Sequence, residues 1–306
     1  MRTLPGQFLF CVLFLLQGGA SAVDILVPGA PVEKVATDCK FTEGPATDSA
    51  GNVFFSDRPN DRILKIAPDG DVSIYRKPAG GANGLIIDRM NRLVMCQYNR
   101  KRVARLEADG TETVLADNYK NEKLIGPNDL CVDLRGRIYF TDPYYGPEEE
   151  RHKFTAAIYR IDAPGDVARL VVSLLKPNGI LITPDNLYVY VSDRGTQKLH
   201  RFEVLENASL TPAGIVYDFA PDRGVDGMCL DVHGNIYAAA GQDATTGLFV
   251  VSPAGELLLH KSMPEFSTNV IFAGPDARDL YFTATTSVYR LRTVNAGIAW
   301  PAGYVD

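Results

Sequence analysis

The chain has 306 residues, of which 46% are hydrophobic, 22% charged and 9% aromatic. That composition excludes a disordered chain, a collagen and a small disulfide scaffold. The net charge of −6 excludes the basic face of a dedicated nucleic-acid binder and offers no hold on anionic lipid.

From the N-terminus, residues 1–22 read as a secretory signal. Arg2 supplies a basic start, Phe8-Leu9-Phe10-Cys11-Val12-Leu13-Phe14-Leu15-Leu16 an apolar run too short to span a bilayer comfortably, and Ala20-Ser21-Ala22 a small-residue cleavage site. An uncleaved anchor is the alternative. Export to the periplasm or the extracellular space is expected, with no membrane contact after cleavage, because no later apolar run approaches membrane length. Residues 23–306 are then expected to form one domain. Four cysteines remain: Cys39, Cys96, Cys131 and Cys229. Export would permit pairing, but Cys131 and Cys229 sit inside apolar strand patterns, where a thiol acts as a small core hydrophobe, so mostly free, buried thiols are expected. No Cys-x-x-Cys or His-x-x-x-His spacing marks a zinc or redox site.

The remainder is a sixfold repeat. A polar anchor opens a short apolar strand, an Asp/Gly/Asn turn follows, and then a second strand rich in Val, Ile, Tyr and Phe. The copies begin Glu43-Gly-Pro-Ala, Asn83-Gly-Leu-Ile, Asn128-Asp-Leu-Cys, Asn178-Gly-Ile-Leu, Asp226-Gly-Met-Cys and Asn269-Val-Ile-Phe, with anchors 40, 45, 50, 48 and 43 residues apart. A third segment follows each, as in Arg62-Ile-Leu-Lys-Ile or Ser287-Val-Tyr-Arg-Leu, and a fourth, as in Val72-Ser-Ile-Tyr. Four short strands in about 45 residues make one propeller blade, and six copies predict an all-β, six-bladed β-propeller with a central channel. No amphipathic helix of 10–15 residues separates the strands, which disfavours a parallel sheet. Closing the ring calls for strand exchange between the ends, so Glu33-Lys34-Val35-Ala36 is expected beside Val288-Tyr289-Arg290.

Repeat symmetry places every anchor at the start of an innermost strand. Glu43, Asn83, Asn128, Asn178, Asp226 and Asn269 should therefore meet at one mouth of the channel. All carry oxygen and none is His or Cys, which suits a hard divalent cation; the two carboxylates balance its charge and would repel each other without it. The competing account is structural, since Asn and Asp at strand starts cap turns and Asn-Gly and Asp-Gly are ordinary turn formers. It is strongest for Asn83 and Asn269.

Phe41-Thr-Glu43-Gly-Pro, Pro127-Asn128-Asp129-Leu, Tyr139-Phe-Thr-Asp142-Pro-Tyr-Tyr-Gly146, Pro177-Asn178-Gly and Val225-Asp226-Gly-Met resemble the gluconolactonase family, which includes senescence marker protein (regucalcin) and luciferin-regenerating enzyme. The resemblance covers nearly all of the chain after residue 22. It implies a six-bladed propeller whose channel holds one divalent metal, Ca²⁺ before Mg²⁺, Mn²⁺ or Zn²⁺, on Glu43, Asn128, Asn178 and Asp226. Asp226 would also transfer the proton, and Asn83, Asp129 and Asn269 would line the cavity. Tyr144 and Tyr145, beside the charged loop Glu148-Glu149-Glu150-Arg151-His152-Lys153, fall where the substrate would enter. Two positions depart from the family: Gly126 stands where animal members have a sugar-binding Arg, and Cys96-Gln-Tyr98-Asn where many bacterial members have a His.

The expected activity is metal-assisted hydrolysis of a sugar lactone, with a small-molecule lactone as partner and no nucleic acid. Related propellers that cleave aryl esters or organophosphates, and a secreted calcium-binding propeller without activity, are the alternatives. Oligomeric state is left open. A serine mechanism finds no support, because there is no Gly-x-Ser-x-Gly elbow and the four His residues do not cluster.

Overall fold

The computed structural model describes residues 24–298; the expected signal segment, with Cys11, lies outside them. The described residues form six four-stranded antiparallel sheets, and the architecture is a six-bladed β-propeller. The innermost strands of blades one to six are Thr42–Thr47, Ala82–Ile87, Leu130–Val132, Pro177–Ile182, Met228–Leu230 and Ser267–Ala273. In the first five blades the other three strands follow in chain order.

The sixth blade is closed by the N-terminal strand Glu33–Ala36, in the register Glu33 to Arg290, Lys34 to Tyr289 and Ala36 to Val288. This is the exchange that the repeat requires. Glu265 locks it. Its carboxylate accepts from Lys34 Nζ at 3.3 Å, the Thr286 N–H at 2.7 Å, Ser287 Oγ at 2.6 Å and the Tyr289 hydroxyl at 2.8 Å. Burial alone would raise its pKa, but the donations from Ser287, Thr286 and Tyr289 outweigh burial and hold it at about 2. The depressed value means that this stabilisation is complete above the unfolded value near 4.3 and is lost as pH falls toward 2. Glu265→Gln should therefore remove roughly 2–3 kcal/mol of stability at pH 7 and flatten the loss between pH 5 and 2. Urea unfolding across that range checks it; parallel curves for the variant and the parent would contradict it.

Cohesion comes from between the blades. Val94, Cys96 and Val103 of blade two pack with Val132, Phe140 and Tyr159 of blade three, and Phe55 of blade one packs with Tyr281 and Val288 of blade six. Each such side chain contributes about 1.5–3 kcal/mol on burial. The inner two strands of each blade are buried nearly throughout, while outer strands such as Val72–Arg76 and Leu257–Ser262 are exposed on alternate or most positions. An Asp in the first turn ties the inner hairpin in four of the blades. Asp48, Asp88, Asp133 and Asp231 each accept two backbone N–H groups from residues two and four further on, at 2.8–3.0 Å. Cys39, Cys96, Cys131 and Cys229 are free thiols. Among the described residues no helix is long and apolar enough to cross a membrane.

Candidate functional site

Every anchor falls where its ladder is interrupted. Strand pairing slips between Glu43 and Ala46, between Ala82 and Leu85, between Pro177 and Ile180, and between Ser267 and Asn269. In blades three and five the ladder begins only after the anchor, at Leu130 and Met228. A bulge re-aims one side chain at the cost of one ladder position. The residues after the anchors do not form turns; they run on into the inner strands. Glycine follows there because neighbouring blades nearly touch. A Cβ on Gly179 would lie 2.2 Å from the Asp226 carbonyl oxygen, and one on Gly227 would lie 1.8 Å from Asn269 Cγ.

A second repeated pair holds the anchors. The second strand ends in Ser56-Asp57, Thr141-Asp142 and Ser192-Asp193 in blades one, three and four. The hydroxyl reaches the next blade: Ser56 donates to Asn83 O at 2.8 Å, Thr141 to Asn178 O at 2.7 Å and Ser192 to Val225 O at 2.5 Å. The Asp turns back on its own blade and accepts the two backbone N–H groups just before the anchor, from Lys40 and Phe41, Ile125 and Gly126, or Leu175 and Lys176. One residue fixes where its own anchor starts and its neighbour fixes the next one.

The anchors come together as buried polar groups. Glu43 and Asn128 are each 5% exposed, and Asn178 and Asp226 each 3%. Burial, together with the charges of Asp226 and Asp129, holds the Glu43 carboxyl well above the usual carboxylate range. Burial likewise pushes Asp129 up to about 7, against the pull of the Leu130 N–H and with the charge of Asp226 adding to the rise. Asn83 Nδ2 donates to Asn128 O at 3.1 Å, and Asn269 hydrogen-bonds Asp129. Below this layer the inner strands enclose an apolar cavity of about 140 Å³, with Asp129 and Asn269 at its polar end and Leu85, Ile180, Met228 and Ile298 among its walls.

These residues fit a divalent cation. Asn128 Oδ1 is buried with no hydrogen-bond partner, a state that costs about 1–3 kcal/mol if nothing meets it. Asn178 commits its Nδ2 to the Tyr145 hydroxyl at 2.7 Å, which leaves the oxygen end of the amide for another partner. Two buried carboxylates and two amide oxygens make a hard donor set of the kind Ca²⁺ or Mg²⁺ takes. Among the described residues no three His, Cys, Asp or Glu side chains gather in a metal-binding group, so the amides are essential to such a site.

Two arginines that the repeat does not reveal complete the mouth. Arg223 Nη1 lies 2.9 Å from Asp226 Oδ2, and the same guanidinium donates to Gly241 O at 2.8 Å and Ser267 O at 2.6 Å while stacking on Phe266 at 4.0 Å. Arg194 Nη1 lies 3.5 Å from the same Oδ2 and hydrogen-bonds Tyr145. Tyr145 is 36% exposed at the rim, and its hydroxyl is pushed up by burial. Tyr144 is directed elsewhere. It is buried, stacks on Phe154 at 4.4 Å and donates to Glu150 at 3.4 Å, and so supports the charged loop, which forms the 3₁₀ turn Glu148–Lys153. The place of the absent side chain at Gly126 is filled by the Tyr98 ring, 2.5 Å from where a Cβ would stand, and Arg58 covers that ring at 4.0 Å.

Comparison with known proteins agrees with the fold. The chain is 28% identical over 303 residues to the gluconolactonase of Zymomonas mobilis, covering 89% of this chain and 84% of that one. It superposes on a gluconolactonase from Xanthomonas campestris with a TM-score of 0.78 at 27% identity, covering 88% and 91% of the two chains. The fold is shared with a calcium-binding regucalcin from Agrobacterium tumefaciens, with a TM-score of 0.73 at 19% identity over 87% and 95% of the two chains. Residues 41–286 match the SMP-30/Gluconolactonase/LRE-like region, and the chain belongs to that family.

Proposed function

We propose that the protein is a metal-dependent lactonase that opens a sugar lactone to its hydroxy acid. One observation carries the reading: burial and the charge of Asp226 hold the buried Glu43 carboxyl above its usual range beside an Asn128 oxygen that has no partner, in a chain of a family whose relatives are named for lactone hydrolysis. Glu43, Asn128, Asn178 and Asp226 would hold the ion, with Ca²⁺ the best match to their oxygens. When bound, the ion would polarise the lactone carbonyl and stabilise the charge that develops on its oxygen.

The chain's own residues supply the rest. Arg223, tied to two carbonyls and a ring, fixes the Asp226 carboxylate through Oδ2 and leaves Oδ1 toward the reaction. Asp226 takes a proton from the attacking water as the new carbon–oxygen bond forms. It returns that proton to the ring oxygen as the ester bond breaks. Asn83, Asp129, Asn269 and Tyr145 lie where they can position hydroxyl groups of a sugar ring. The Asn178–Tyr145 hydrogen bond holds the amide that would face the ion.

Acid release from a panel of lactones tests this, after chelation and re-addition of Ca²⁺, Mg²⁺, Mn²⁺ and Zn²⁺. Chelation should lower the rate by about 10²-fold or more, and one of the ions should restore it. A protein that binds the ion yet is inert on every lactone would replace this reading with a calcium-binding one.

A further inference from the structure

The mouth carries more positive charge than lactone opening requires. Asp226, whose charge reaches Glu43, meets two guanidiniums, Arg223 and Arg194, on one carboxylate oxygen. With both carboxylates ionised, as they must be to hold an ion, the two arginines already balance them. A dipositive ion then leaves the mouth positive, even with Asp129 ionised. Arg58, close enough to Glu43 to pull its carboxyl downward, adds a further positive charge from blade one. A site built only to hold a cation and a neutral sugar has no need of these arginines, and each is costly to bury unless it meets negative charge.

The two arginines on Asp226 are held differently. Arg223 is spent on structure: its guanidinium meets Asp226, two backbone carbonyls and a phenyl ring, and the side chain is only 6% exposed. Arg194 is not. Its side chain is 26% exposed, its contact with Asp226 is long at 3.5 Å, and its other partner is the hydroxyl of Tyr145, a residue that itself opens to solvent. A guanidinium carries five N–H donors in a planar fork suited to a carboxylate. Arg194 thus stands at the rim with donor capacity to spare, beside the point where the lactone ring would sit.

We propose that Arg194 is a specificity residue and that the substrate is a lactone carrying its own anionic group, a carboxylate on the carbon chain outside the ring. This rests on the lactonase reading and narrows it. The anion pairs with the outer face of Arg194 and places the lactone carbonyl over the anchors. A sugar lactone ending in a hydroxymethyl group makes a neutral hydrogen bond there instead, roughly half as strong.

The test uses two γ-lactones that differ only at the terminal carbon: galactono-γ-lactone, which ends in a hydroxymethyl group, and galactaro-γ-lactone, which ends in a carboxylate. The full chain is loaded with Ca²⁺, or with whichever of the four ions restores activity. The ratio of kcat/KM for the anionic lactone over the neutral one should exceed one and should fall by about 10- to 100-fold in Arg194→Gln, with partial recovery in Arg194→Lys. A binding readout runs beside it. By calorimetry galactarate should bind the parent at least about 10-fold more tightly than galactonate, and Arg194→Gln should erase the difference.

A parent ratio at or below one, or a loss in Arg194→Gln that is equal for both lactones, would overturn the proposal, the latter pointing to a role in the reaction common to all lactones. The binding experiment separates the two readings. No turnover of either lactone together with an Arg194-dependent preference for galactarate sinks the lactonase reading and keeps the anion site. Turnover without that preference does the reverse.

Discussion

Asp226→Asn is expected to lower kcat/KM for lactone hydrolysis by about 10³-fold or more while the propeller stays folded. The substitution keeps the size of the side chain and an oxygen to accept from Arg223, and it removes the proton acceptor and one ligand charge. Asp226→Ala is the poorer experiment, because it leaves the buried Arg223 guanidinium without a counter-charge, at about 3–5 kcal/mol. Circular dichroism and a melting curve establish the fold of the Asn variant, and its affinity for the ion is measured alongside turnover. A variant that keeps the ion and loses turnover assigns Asp226 to proton transfer; one that loses both makes ligation its main contribution. Retention of more than a tenth of the parent's kcat/KM would sink the catalytic assignment.

Gly179→Ala is expected to be nearly as damaging, for a steric reason. Its methyl would stand 2.2 Å from the carbonyl oxygen of Asp226, so the inner strands of blades four and five must separate by more than an ångström. Overpacking of this kind costs about 1–3 kcal/mol or more. The displaced backbone also carries Asp226 itself, and a shift of about 1 Å in a reacting group costs on the order of 10²-fold in rate. Gly110→Ala is the contrast. It has open space around it but a φ of +83°, so it should cost about 1–2 kcal/mol through its turn alone. Melting temperature and kcat/KM for both variants check the pair. Equal activity losses would show that the close approach of the blades does not set the site.

Much of the fold was legible because a propeller writes itself six times. The anchors at 40- to 50-residue spacing, the Asp in four of the first turns and the closing segment Glu33–Ala36 all follow from register, and the structure shows each where the repeat puts it. The bulges at the anchors are not legible, since a slip of the ladder leaves no residue type behind. The Ser/Thr-Asp pair was visible as Ser56-Asp57, Thr141-Asp142 and Ser192-Asp193; its two jobs, one on the next blade and one on its own, need coordinates to see. The arginines escape for the opposite reason. The position after the strand-ending Asp or Gln holds Arg58, Tyr98, Pro143 and Arg194 in blades one to four, and a search for what the blades share passes over it. Arg223, three residues before Asp226, likewise has no counterpart that repeats. Sameness between the blades makes the ring and gathers the anchors, and the differences between them give the mouth its chemistry.

The measurement that bears most directly on all of this is anomalous diffraction from crystals of the full chain soaked in Mn²⁺. One strong peak is expected at the channel mouth, within about 2.0–2.6 Å of oxygens from Glu43, Asn128, Asn178 and Asp226, and it should be lost in Glu43→Gln. A peak that avoids these four side chains, or a fully occupied ion elsewhere with the four left bare, would contradict this expectation.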